Sequence, residues 1–128
     1  MFSVMDLNSA YYQIPLTRKS HRITAFCTPF GLHEFNKLLT GISRGCQGLS
    51  CVVDNLFADL KGEYVFNYLD DLVVYLVSIF EHQEHLREVL DRLQLAGFML
   101  NKEKIVLSAS EIKYLEHYLS SRGISDPR

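Results

Sequence analysis

Cysteine is scarce and odd in number: Cys27, Cys46 and Cys51, with no Cys-x-x-Cys spacing. That excludes a disulfide framework and a cysteine-built zinc site, and it favours a reducing compartment. A basic excess is missing too, since the formal net charge is −2. Such a balance argues against a free-standing nucleic-acid binder, but not against a catalytic piece whose basic surfaces lie elsewhere in a larger protein. No apolar run reaches the length of a membrane span, and no basic segment precedes an apolar core at the N-terminus. No membrane partner is expected, and an intracellular site, cytoplasm or nucleus, is the expectation. Gly-x-Ser-x-Gly, a phosphate-binding glycine-rich loop with Lys-Ser/Thr, and His-Glu-x-x-His are all absent. Repeats, low-complexity segments and linkers are absent as well. What is there is 128 residues, 48% hydrophobic, enough for one modest core.

One stretch organises the rest: Tyr64-Val65-Phe66-Asn67-Tyr68-Leu69-Asp70-Asp71-Leu72-Val73-Val74-Tyr75. Two short runs rich in Val, Tyr and Phe flank adjacent aspartates, the pattern of a β-hairpin with both carboxylates at or beside its turn. Paired carboxylates that are partly enclosed repel each other and lose hydration, so they call for a cation, ordinarily Mg²⁺. The competing reading is an exposed turn where both aspartates face water.

Phe2 to Asp6 reads as a strand ending on an acid. Asn8 to Tyr12 suits a turn or one helical turn, which Pro15 stops. Arg22 to Cys27 and Leu32 to Leu39 read as two strands joined through Thr28-Pro29-Phe30-Gly31. From Gly45 to Leu60 an apolar stripe of Leu49, Val52, Val53, Leu56, Phe57 and Leu60 predicts a helix ended near Gly62. A second helix is predicted over Glu81 to Ala96, with Leu86, Val89, Leu90, Leu93 and Ala96 inward and Gly97 as its C-terminal cap. Glu88–Arg92 and Arg87–Asp91 are spaced as exposed ion pairs. Ile105 to Leu107 and Ile112 to Leu119 read as strands, and Ser120 to Arg128 as a polar, loose tail. His82 and His85 stand three apart on the second helix; a solvated face is the reading, since no third ligand accompanies them. The expected class is α+β, two helices on one face of an antiparallel sheet.

These residues resemble the palm of a reverse transcriptase, closest to those of gypsy-type LTR retrotransposons. Tyr68-Leu69-Asp70-Asp71 is similar to the Tyr-x-Asp-Asp box. Phe2-Ser3-Val4-Met5-Asp6 with Leu7 to Ile14 resembles the first catalytic motif, and Ala25 to Phe35 the hairpin after it. His85 to Leu90, then Ala96-Gly97, Leu100-Asn101 and Glu103-Lys104, resembles the helix and loop beyond the aspartate pair. Lys113-Tyr114-Leu115 with His117 resembles the strand that holds the primer end. Five motifs in order over Phe2 to Ile124 imply a palm at 1–124, with 125–128 a loose tail.

The resemblance implies RNA-directed DNA polymerase chemistry: two-metal nucleotidyl transfer onto a primer 3′ end. Two ions about 3.5–4 Å apart stabilise the attacking and leaving oxygens. By resemblance Asp6 and Asp70 hold two Mg²⁺, or Mn²⁺, and Asp71 supports them less directly. On its own, Asp6 reads as a helix N-cap. Tyr11 is implied to lie under the incoming sugar, where it would exclude a ribose 2′-hydroxyl; otherwise it is a half-buried aromatic. Lys104 is implied near the leaving pyrophosphate, or else is a solvated loop lysine. Tyr68 and Gly41 complete the implied substrate-binding set. The implied partners are an RNA or DNA template-primer, deoxynucleoside triphosphates and the remainder of a Pol polyprotein.

Departures from the family pattern lie between Leu38 and Ser50, where Gly41 and Ile42 persist but the Asn, Pro, Phe and Gln do not. Cys46 replaces a proline at the helix start, which should loosen that turn. Glu116 stands in place of a glycine, and Leu76-Val77 in place of a polar pair. The triphosphate-gripping strand and the thumb are expected outside this chain. A fragment inactive or barely active alone is therefore expected. The alternative is a catalytically idle palm serving as a binding module, and a weaker one an unrelated α+β domain with Asp6 far from Asp70.

Overall fold

The computed structural model describes residues 1–126. Its centre is a four-stranded antiparallel sheet in the order β4-β5-β1-β6, formed by β1 (Phe2–Asp6), β4 (Val65–Tyr68), β5 (Asp71–Tyr75) and β6 (Val106–Ala109). Alternation along the strands divides the side chains between two faces. Ser3, Met5, Leu72, Val74 and Val65 are fully buried, and the register makes them neighbours on one face. Helices α2 (Gly45–Leu56) and α3 (Ile79–Leu95) cover that face, bringing Leu49, Val53, Phe57, Val89 and Leu93 into one core with Met5, Leu72 and Val74. The two-helix, one-face arrangement expected from the stripes is what forms. The other face carries Asp6 opposite Asp71.

Around this core sit a short helix α1 (Ala10–Gln13), a hairpin of β2 (Phe26–Thr28) and β3 (Gly31–His33), and a three-stranded sheet of β7 (Glu111–Tyr114), β8 (His117–Ser120) and β9 (Gly123–Ser125). Several expectations need correcting here. Arg18–Thr24 is a 3-10 helix, so the predicted strand begins only at Phe26. Thr24 fixes it, its hydroxyl donating to the carbonyls of His21 and Phe35 and accepting from Phe35 N–H. The third strand shrinks to Gly31–His33. Helix α2 stops at Leu56, and Phe57 to Leu60 continue as turns whose side chains still point inward at Phe57 and Leu60. Val52, Leu90 and Ala96 are exposed, at the margins of their stripes. The tail read as loose from Ser120 contains strand β9, which takes in Ser125, and Pro127 and Arg128 lie outside the described residues.

Ile112 to Leu119, read as one strand, is a hairpin turning at Leu115 and Glu116. Both turn residues have positive φ, 49° and 67°, the conformation that a two-residue loop normally gives to Asn-Gly. The missing glycine hid the turn. Glu116→Gly is accordingly expected to stabilise the fold by up to about 1 kcal/mol, seen as a higher midpoint in thermal denaturation.

The histidine pair is the other correction. His82 is buried and its Nε2 lies 2.7 Å from Ser3 Oγ, while His85 stacks on Tyr64 at 3.7 Å between ring centroids. Neither faces water freely, because the first turn and a half of α3 lies directly over β1 and Tyr64. Below them the expected Glu88–Arg92 pair forms and extends: Tyr64 OH donates to Glu88, and Arg92 bridges Glu88 and Asp59. Burial, with Glu88 alongside, pushes the Tyr64 hydroxyl up to about 12.

Candidate functional site

Asp6 ends β1, and its Cα partner across the sheet is Asp71, the first residue of β5. Asp70 occupies the two-residue loop between β4 and β5 together with Leu69, whose φ is 54°. A non-glycine residue there holds the turn in a costly conformation. The loop is tied down by Leu7 N–H, which donates to the Asp70 carbonyl at 2.9 Å. Three carboxylates from segments 64 residues or more apart in sequence thus gather at one end of the sheet.

The same end receives a fourth group. Asn101 N–H donates to the Asp6 carbonyl at 2.8 Å, and Asn8 N–H to the Met99 carbonyl at 2.8 Å. Asn101 then starts the 3-10 turn Lys102–Lys104, accepting on its side chain from Glu103 N–H. This turn aims Lys104 back at the site, with Nζ 2.5 Å from Asp6 Oδ2. Its side chain is still 65% exposed, so Lys104 both pairs with Asp6 and reaches water. Its ammonium is held above the usual lysine range, chiefly by the hydrogen bond to Asp6 and then by the charges of Asp6, Asp70 and Asp71. The Asp71 carboxyl is raised, first by burial and then by Asp70 and Asp6, with Lys104 opposing. The charges act on one another as a single cluster. Among the described residues the carboxylates do not stand close enough, as placed, to form a closed ligand set. The donor set nevertheless fits a hard divalent cation: oxygen-only, in excess negative charge, and open to added waters and phosphate.

Tyr11 lies on α1, within electrostatic reach of Asp70. Its hydroxyl is 2.9 Å from Cys46 Sγ, a contact that raises its pKa. Helix α2 starts there without a side-chain cap, from Arg44 at φ 64°. The altered segment therefore meets the candidate pocket through Cys46. Gly41 sits in the exposed loop before α2 at φ 88°, which accounts for glycine at that place. Tyr68 is 55% exposed beside the carboxylates.

Two residues near the site were not among the candidate site residues, although Tyr114 belongs to the motif resembling the primer-holding strand. Tyr114, on β7, is partly buried, and burial, followed by the charges of Asp71 and Tyr68, pushes its hydroxyl up to about 12. Gln13 exchanges hydrogen bonds with Met99, its amide donating to the carbonyl at 3.0 Å and its oxygen accepting from the N–H at 2.7 Å. That clamp locks the loop leading to Lys104 against α1. Its only sequence signal is a polar residue closing the first motif.

A family described as reverse transcriptase (RNA-dependent DNA polymerase) matches residues 1–119. The Transposon Tf2-3 polyprotein of Schizosaccharomyces pombe is 27% identical over 125 residues, 98% of this chain and 9% of the relative. The Tf2-7 polyprotein of the same organism is 26% identical over the same shares. This chain thus spans about a tenth of the curated relatives it matches. Among solved structures, the foamy viral protease-reverse transcriptase in complex with RNA/DNA hybrid superposes with TM-score 0.89 at 25% identity, over 98% of this chain and 17% of that one. The same protein in complex with dsDNA gives 0.87 at 25% identity, over 98% and 26%. The α+β architecture is that of a reverse transcriptase palm.

Proposed function

This chain belongs to the reverse transcriptase family, and from that premise we propose that it is the palm, residues 1–124, of a gypsy-type retrotransposon polyprotein. Its proposed task is to transfer deoxynucleotides to a primer 3′ end on an RNA or DNA template. The observation that carries this is the meeting of Asp6 and Asp71 across β1 and β5, with Asp70 in the adjoining loop. Asp6 and Asp70 would hold the divalent ions, Mg²⁺ or Mn²⁺, with Asp71 behind them. Such ions, when bound, stabilise the entering and leaving oxygens of phosphoryl transfer. Tyr11 would floor the sugar site, Tyr68 and Gly41 would border the primer and the nucleotide, and Lys104 would meet the departing phosphates.

The template-primer partner is supported by the foamy viral relatives, whose structures hold RNA/DNA hybrid and dsDNA. The polyprotein context is supported by the transposon relatives. An intracellular location accords with such a life. Nucleotide and template grip depend on surfaces outside a palm, so the chain alone is expected to be inactive or barely active. The uncapped start of α2 favours a second reading, an idle palm kept as a binding module.

A metal titration separates the two. On the first reading Mg²⁺ or Mn²⁺ at ten times its Kd adds about 1.4 kcal/mol, a rise of roughly 3–6 °C in melting temperature. Asp70→Asn abolishes that rise. Absence of any shift at millimolar metal leaves the idle-module reading standing.

A further inference from the structure

We propose that Lys104 is a built-in counter-ion of the carboxylate cluster, seated on the oxygen a divalent ion would take, so that metal binding must displace it and Lys104 sets the affinity of the site. This rests on the reading of Asp6, Asp70 and Asp71 as ligands and adds a regulation to it.

The contact is built, not incidental. Asn101 anchors the turn to the Asp6 backbone at 2.8 Å and accepts from Lys104 N–H at 3.1 Å, so the lysine is delivered to the residue whose strand it is bound to. The two ends of the ion pair differ in freedom: the Asp6 side chain is 10% exposed and that of Lys104 65%. The carboxylate is therefore fixed, while the ammonium, on a flexible four-carbon stem, can swing into water at small cost. A single positive charge offsets only part of three carboxylates, leaving a net attraction for a dication. The dication, however, needs the Asp6 oxygen that the lysine holds. The geometry thus gives a site that stays folded without metal and yields to it, with the displaced ammonium tethered at the rim.

The test is Mn²⁺ binding by the whole chain, followed by electron paramagnetic resonance, for the parent protein, Lys104→Met, Lys104→Arg, Lys102→Met and Asp6→Asn. Lys104→Met is expected to bind Mn²⁺ roughly three- to fivefold more tightly, the effect of removing one exposed competing charge. In chelator it should melt a few degrees lower than the parent, and added Mg²⁺ should close that gap. Lys104→Arg should stay near the parent, and Lys102→Met, in the same turn without the contact, should change affinity less than Lys104→Met. Equal or weaker binding by Lys104→Met, with binding lost in Asp6→Asn, overturns the counter-ion role alone. No binding by any form up to roughly 20 mM overturns the ligand reading and this inference together.

Discussion

Replacing Phe57 with alanine is expected to destabilise the protein by about 3–5 kcal/mol, the cost of emptying a fully buried aromatic site. Phe57 has no exposed surface and stands where α2 gives way to turns. Its carbonyl accepts from both Leu60 and Lys61 N–H at 2.9 Å, so the ring pins the chain reversal that leads into β4. A domain of this size has about 5–15 kcal/mol in all, so the loss takes a fifth or more of it. The expected readout is a fall of the urea midpoint with the slope unchanged. A fall under about 1 kcal/mol would mean the pocket collapses freely around the gap. The effect should reach the candidate site, because β4 and β5 hold Asp70 and Asp71 only while their inner face, Val65, Leu72 and Val74, stays packed against this core.

How much of this was legible in the sequence follows from which interactions are local. Strand β1, the β4–β5 hairpin and both long helices announce themselves through periodicity, since burial of one face is written into each short window. The sheet order is not local. Nothing within either segment indicates that Phe2–Asp6 pairs with Asp71–Tyr75; the resemblance implied only that Asp6 and Asp70 come together. The β7–β8 turn was missed because Leu115 and Glu116 adopt positive φ without the residues that signal it. The 3-10 helix at Arg18–Thr24 was missed because a threonine hydroxyl, not a hydrophobic pattern, sets it. Lys104 meets Asp6 across 98 positions. Ion pairs of that kind leave no periodic trace; the resemblance singled out Lys104, but only the folded chain shows its contact with Asp6.

His82→Ala is the second substitution expected to be costly, at about 2–4 kcal/mol, and its pH signature identifies the cause. The ring is 1% exposed, its Nε2 meets Ser3 Oγ, and Ser3 Oγ also accepts from Ser108 N–H at 2.9 Å. One serine thus joins α3, β1 and β6, and truncating the histidine opens a hole above it. Among the described residues its Nδ1 has no partner, so a proton added there would be buried without an acceptor. Burial, followed by the N-terminal ammonium of Met1 and by His85, accordingly lowers the pKa below the ordinary histidine value. The unfolded chain then binds more protons than the folded one once pH drops below about 6.5, and stability falls with falling pH in that range. Only about a unit above 6.5 are both states neutral and this contribution complete. His82→Gln keeps a polar side chain without the titration. In matched urea titrations from pH 7.5 to 5 it should lose less stability on acidification than the parent protein. Parallel losses in the two would show that His82 already exchanges its proton with solvent in the folded state, and that the seam between α3 and β1 is looser than the Ser3 contact implies.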